Sequence, residues 1–150
     1  MLYGRFVGLR SEPVRNTVER GAVRRFAEAI ADPSPLYVNE EAAARSRYGR
    51  IVAPPTFLRT FDYGRIEGLE LPPAGLINGE FHIAYERPLL VGQELLCRME
   101  LKDSYDKQSR RGLLGFLVFE RTGESPEGER VFTANDIVVI TEAVRSGIET

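Results

Sequence analysis

The chain predicts an α+β domain in which an antiparallel sheet of long strands packs on helix. Three observations carry this. Apolar residues recur at helical spacing only in the N-terminal part, β-branched and aromatic residues dominate beyond Phe81, and breaks rich in proline and glycine separate the segments.

Val14 to Val18 alternates apolar and polar residues as a short strand does. Glu19 to Ala31 then places Ala22, Val23, Phe26, Ala27 and Ile30 on one helical face, and Asp32-Pro33 stops that helix. Pro33 and Pro35 bias the residues before them towards extended backbone, so Asp32 to Tyr37 is expected to be a rigid, non-helical corner. Asn39 is placed to cap a helix over Glu40 to Arg47, with Gly49 as its stop. Ile51 to Phe57 leads into a third helix through about Tyr63, and Pro55 suits its first turn.

Leu69 to Gly79, with a Pro-Pro pair and scattered glycines, reads as loop. Strands are expected at Phe81 to Tyr85, Glu94 to Tyr105, Leu113 to Arg121 and Arg130 to Glu142. The connections holding Pro88 and Gly92, Lys107 to Gly112, and Gly123 to Gly128 suit hairpin turns between successive antiparallel strands. Glu94 to Tyr105 exceeds the usual length of about five or six residues, so the sheet is expected to curl, with the most apolar helix as its filling.

A length of 150 residues, 43% hydrophobic and 28% charged, fits one domain over 1–150 that buries a continuous core. The net charge of -2, with both signs mixed along the chain, provides no basic stripe for nucleic acid or an anionic membrane. A single cysteine, Cys97, excludes an internal disulfide framework and thiolate clusters for zinc, which makes the cytosol the expected compartment. No segment approaches the roughly 20 apolar residues of a membrane span.

Several spaced motifs carry a family resemblance. They are Phe26 to Tyr37, with its Ala-Asp-Pro-Ser-Pro-Leu-Tyr end; Ala42-Ala43 with Tyr48-Gly49; Ile51 to Phe57; and Tyr85-Glu86-Arg87-Pro88-Leu89 followed by Gly92. In this order they resemble MaoC-like hydratases and dehydratases, in particular the fatty-acid-synthase-type N-terminal dehydratase branch and the non-catalytic subunit of (R)-3-hydroxyacyl dehydratases. The resemblance implies a hot-dog fold, a curved antiparallel sheet wrapped around a central α-helix. It also implies homodimers or heterodimers, acyl substrates on coenzyme A or acyl carrier protein, and neither metal nor redox cofactor. The active relatives add water reversibly to a trans-2-enoyl thioester.

That chemistry needs a base for the α-proton, an acid for the leaving hydroxyl, and donors for the thioester oxygen. The resemblance assigns Asp32 to the aspartate of the family's acid-base pair, but Tyr37 stands where those enzymes carry histidine. A phenol with a reference pKa of about 10 donates a hydrogen bond but removes a proton poorly beside an imidazole at about 6.5. On the donor side Ala53, Pro54, Pro55 and Thr56 are the candidate substrate-binding residues. Catalytic relatives have a His-Gly pair there, whereas Pro54 and Pro55 have no N–H, so only later amides such as those of Thr56 and Phe57 remain.

Other residues have plainer alternatives. Asp32 equally fits a role in closing the turn after its helix. His82, the only histidine, lies in a strand and shares a face with Glu80 and Ala84, as a solvated residue or as a partner for Asp32. Asn39 reads as a cap, Glu40 and Glu41 as complements to the helix dipole, and Cys97 as a buried apolar residue. Arg87 suits a structural salt bridge, and Lys107 to Arg111 a solvated hairpin tip or a contact for phosphates or an acidic carrier.

The leading expectation is a subunit that binds the acyl chain while a homologous catalytic partner supplies the Asp/His pair. The alternatives are a self-sufficient homodimeric hydratase using Asp32 with His82 or a water, a thioester-binding module without turnover, and a hot-dog thioesterase.

Overall fold

The computed structural model describes residues 1–148. One antiparallel sheet of five strands forms its centre: β1 (Val14–Thr17), β2 (Leu76–Tyr85), β3 (Glu94–Ser109), β4 (Gly112–Glu124) and β5 (Arg130–Ile140), in the order β1-β3-β4-β5-β2. The helical segments are α1 (Arg20–Ala29), α2 (Pro35–Val38), α3 (Glu40–Arg45) and α4 (Glu142–Arg145), with 3-10 turns at Gly4–Phe6 and Pro55–Thr60. The expected fold class is the one observed. No helix among the described residues is long and apolar enough to cross a membrane.

The long strands run further than their apolar cores suggest. Backbone pairing carries β3 to Ser109 and starts β4 at Gly112, leaving Arg110 and Arg111 as the turn, with Gly112 at φ 102. Lys107 therefore sits within a strand, its ammonium over the stacked rings of Tyr105 and Phe116. Strand β2 begins at Leu76, inside the expected loop, and absorbs Gly79 as a register shift between Asn78 and Glu80. At the other end β5 stops at Ile140, and Glu142 opens α4 instead of closing the strand.

The segment around Pro88 and Gly92 is not a hairpin. Strand β2 pairs with β5 at one edge, whereas β3 lies beside β1 near the other, so Glu86 to Gln93 has to cross the end of the sheet. Its path is fixed by Ala53 N–H to Leu89 O (2.8 Å), Val91 N–H to Ile51 O (2.9 Å) and Gly92 N–H to Val18 O (2.8 Å).

Two expectations on the helical side also change. Pro35–Val38 forms one helical turn rather than an extended corner, because the fixed φ of Pro35 suits the first helical position. The third helix is a short 3-10 segment that ends at Thr60, with Phe61 already extended. Beyond it the chain is pinned to β1. Asn16 exchanges hydrogen bonds with the Asp62 backbone (2.8 and 3.0 Å), and Ser11 Oγ donates to Tyr63 O at 2.6 Å. Gly64, at φ 73, passes so close to Glu12 that an added Cβ would lie 2.9 Å from its carbonyl.

The inner face of the sheet carries two apolar clusters. One joins Val23 of α1, Ala43 of α3, Phe57, Leu58 and Tyr63 to Leu95, Cys97, Val131 and Phe132. The other joins Leu2, Phe6 and Ile66 to Leu101, Leu117, Phe119 and Ile140. Ile30, expected on the buried face of α1, is 44% exposed because the helix has already ended.

Candidate functional site

The corner after α1 is closed by backbone alone. Asp32 N–H reaches Ala27 O (2.9 Å), Ala31 N–H reaches Glu28 O (3.1 Å), and Ala31 takes φ 55 between them. This is a Schellman ending, with alanine in the left-handed position that glycine normally fills. The turn-closing reading of Asp32 thus falls to its amide. Its side chain is exposed and makes no hydrogen bond among the described residues.

Tyr37 follows on α2, half-buried, and lines a cavity of ≈ 560 Å³ with Arg20, Arg24, Asn39 and Ile51. Burial first, then the charges of Asp32 and Tyr48, push its phenol above the ordinary tyrosine range. The structure therefore brings Asp32 and Tyr37 within electrostatic reach of each other. It also keeps Tyr37 in the protonated, hydrogen-bond-donating form.

Leu36 O accepts from Val52 N–H at 3.1 Å, which fastens this corner beside the Ala53 to Thr56 turn. Ala53 and Pro54 are buried there, whereas Pro55 and Thr56 are exposed. Phe57 N–H is spent on Pro54 O (2.9 Å), and Pro55 O accepts the Tyr85 hydroxyl. Of the two amides proposed for a thioester oxygen, Phe57 is thus already used. Thr56 N–H has no acceptor among the described residues.

His82 lies elsewhere. Phe81, Ile83 and Tyr85 point to the inner face and pack on the helix-side cluster, so His82 projects from the opposite face. It is 67% exposed, and its Nε2 lies 2.9 Å from Glu80 Oε2. The structure does not bring it to Asp32.

The plainer readings hold. Asn39 Oδ1 accepts from Ala42 N–H at 3.0 Å, and Arg87 pairs with Glu129. Cys97 is fully buried, its thiol pushed up to about 12 by desolvation. No metal-holding group of His, Cys, Asp and Glu occurs among the described residues.

One polar feature escaped the sequence reading. Arg121 and Asp136 face inward from β4 and β5, joined at 2.6 Å, beside Arg59 and Tyr63. The signal was legible in principle: Arg121 shares its alternation with Leu117 and Phe119, and Asp136 with Phe132 and Ala134.

With this geometry in place, similarity to known proteins is informative. Residues 5–134 match the family described as FAS1-like, dehydratase domain region. A UPF0336 protein of Streptomyces avermitilis is 34% identical over 141 residues, covering 86% of this chain and 88% of that protein. Among solved structures, the HadBC (3R-hydroxyacyl-ACP dehydratase) complex of Mycobacterium tuberculosis superposes with a TM-score of 0.70 at 24% identity, covering 89% of this chain and 96% of the matched one. The ChsH1-ChsH2 complex from the same organism gives 0.74 at 23% identity, covering 89% and 84%. These two establish the hot-dog fold. Because the family match spans most of its length and the Streptomyces relative covers 86% of it, this chain belongs to the family described as FAS1-like, dehydratase domain region, and to the UPF0336 family.

Proposed function

We propose that this chain is the acyl-thioester-binding member of a two-subunit MaoC-like hydratase or dehydratase, with the imidazole base supplied by a homologous partner. The observation that carries the reading is Tyr37 beside Asp32, with its phenol raised further above neutrality by burial. An α-proton of a thioester needs a base that is free at neutral pH, and this phenol is not one.

The donor side points the same way. Two prolines and a committed Phe57 amide leave Thr56 N–H alone where the developing oxyanion requires stabilisation. Asp32, exposed and without a side-chain partner among the described residues, and Tyr37, a donor at a cavity wall, remain suited to orienting an acyl group bound on coenzyme A or a carrier protein. That HadBC and ChsH1-ChsH2 are complexes of two named components supports pairing with a different subunit.

The test is hydration of crotonyl-CoA and longer enoyl-CoA substrates by the purified chain. Acyl-CoA binding without turnover is expected, with turnover appearing once a partner carrying Asp-x-Asn-Pro-Leu-His is added. Rapid hydration by the chain alone overturns the proposal. Tyr37→His should introduce weak hydration, well short of the roughly 10²–10⁴-fold that a well-placed general base contributes, because the amides at Pro54 and Pro55 are still missing.

A further inference from the structure

Arg121 and Asp136 lie on the inner face at the boundary between its two apolar clusters. Arg121 Nη1 donates to Asp136 Oδ2 at 2.6 Å, and Asp136 is 8% exposed. Its other oxygen, Oδ1, is buried and has no donor among the described residues. A buried carboxylate oxygen without a partner is destabilising, and native proteins rarely leave one so.

The pair opens on a cavity of ≈ 190 Å³ whose remaining walls include Arg59 and the rings of Phe61, Tyr63 and Phe81. A single water needs only about 10–15 Å³, so the space suits a small molecule. Arg59 lies 4.1 Å over the Phe81 ring and has no carboxylate partner among the described residues. The Tyr63 hydroxyl is committed to Leu58 O at 2.6 Å. What the cavity offers is an unpaired guanidinium, an unsatisfied carboxylate oxygen and aromatic walls.

Few ligand classes complement that set. A simple anion satisfies Arg59 but brings nothing to Oδ1, and an amine satisfies Oδ1 but meets two guanidinium groups. The terminal torsion of an aspartate is soft, so a small rotation presents Oδ1 to the cavity while Arg121 keeps its bond. We propose that this cavity binds a short hydroxy carboxylate, its carboxylate on Arg59 and its hydroxyl donating to Asp136. The site is separate from Asp32 and Tyr37 and does not depend on the thioester reading.

The test compares free 3-hydroxybutyrate with butyrate on the full chain, by NMR titration or calorimetry without coenzyme A. The hydroxy acid should bind about tenfold tighter, the value of one hydrogen bond to a charged group. Arg59→Gln, at an exposed position, should weaken both acids by about tenfold, and Asp136→Asn should bring their affinities together. Equal affinities, no saturable binding at millimolar concentrations, or an Arg59→Gln variant that binds as before would each overturn the proposal. If Asp136→Asn does not fold, the wild-type ratio and Arg59→Gln still decide.

Discussion

The inner face of the sheet is covered in two different ways. Towards one end α1, α3 and the Pro55–Thr60 turn lie on it, with Phe26, Phe57 and Phe61 meeting edge to face at 5.5 and 5.6 Å above Phe132. Towards the other end the cover is the N-terminal segment, the Ile66 to Leu71 stretch and α4. A helix satisfies most of its own backbone groups and needs only apolar contact with the sheet. An irregular cover has to find partners outside itself. The second region shows this directly, in Gly8 N–H to Leu101 O (2.8 Å) and Ser11 N–H to Met99 O (2.9 Å). The helix-covered region therefore needs fewer polar contacts to hold its cover, and Tyr37 packs against its cluster with Asp32 exposed nearby in the chain.

The largest effect that would sharpen this contrast is at Phe132, fully buried and ringed by Phe61, Tyr63 and Tyr85. Phe132→Ala should cost about 3–5 kcal/mol in urea or thermal unfolding. A loss below about 1 kcal/mol would break the picture of a tightly packed helical half.

The irregular half should respond instead to acid. Arg145 of α4 donates to both oxygens of Asp106 at 2.7 and 3.2 Å, and this hydrogen bonding holds the Asp106 carboxyl below its ordinary range. A depressed carboxyl contributes stability in full above the ordinary carboxylate range and loses it as the pH falls from there down through the lowered folded-state value. Asp106→Asn should therefore cost about 1–2 kcal/mol at neutral pH, with the gap to wild type closing as the solution is acidified. A gap constant with pH would remove the polar clamp from the account. Melting curves at stepped pH read it.

The smallest effect is a gain. Ala31 holds a left-handed backbone beside Asp32, so Ala31→Gly should stabilise the fold by roughly 1 kcal/mol, partly offset by glycine's freedom when unfolded. A destabilised variant would mean that the α1 ending is not the strained one described.

Much of this architecture was legible from residue pattern. The apolar stripe of α1, the cap at Asn39 and the strand cores announced themselves through local spacing, and local spacing is all that helix and strand periodicity require. The candidate pair Asp32 and Tyr37 was legible too, since both sit on one short segment. What failed was non-local. The hairpin expected around Pro88 is a crossing because strand order depends on which edge β1 occupies, and the third helix stops early because Asn16 and Ser11 capture the chain beyond it. His82 looked available to Asp32 only until the faces of β2 were assigned.

The α+β class and the absence of an imidazole from the Asp32 to Tyr37 corner were already fixed by residue order, since composition and short-range pattern suffice for these. Only the tertiary structure decided that His82 faces away, and that Arg121 and Asp136 meet with one oxygen unsatisfied among the described residues. Each of those depends on which residues the sheet register brings opposite one another, and pairing over long sequence separation leaves no trace in local spacing.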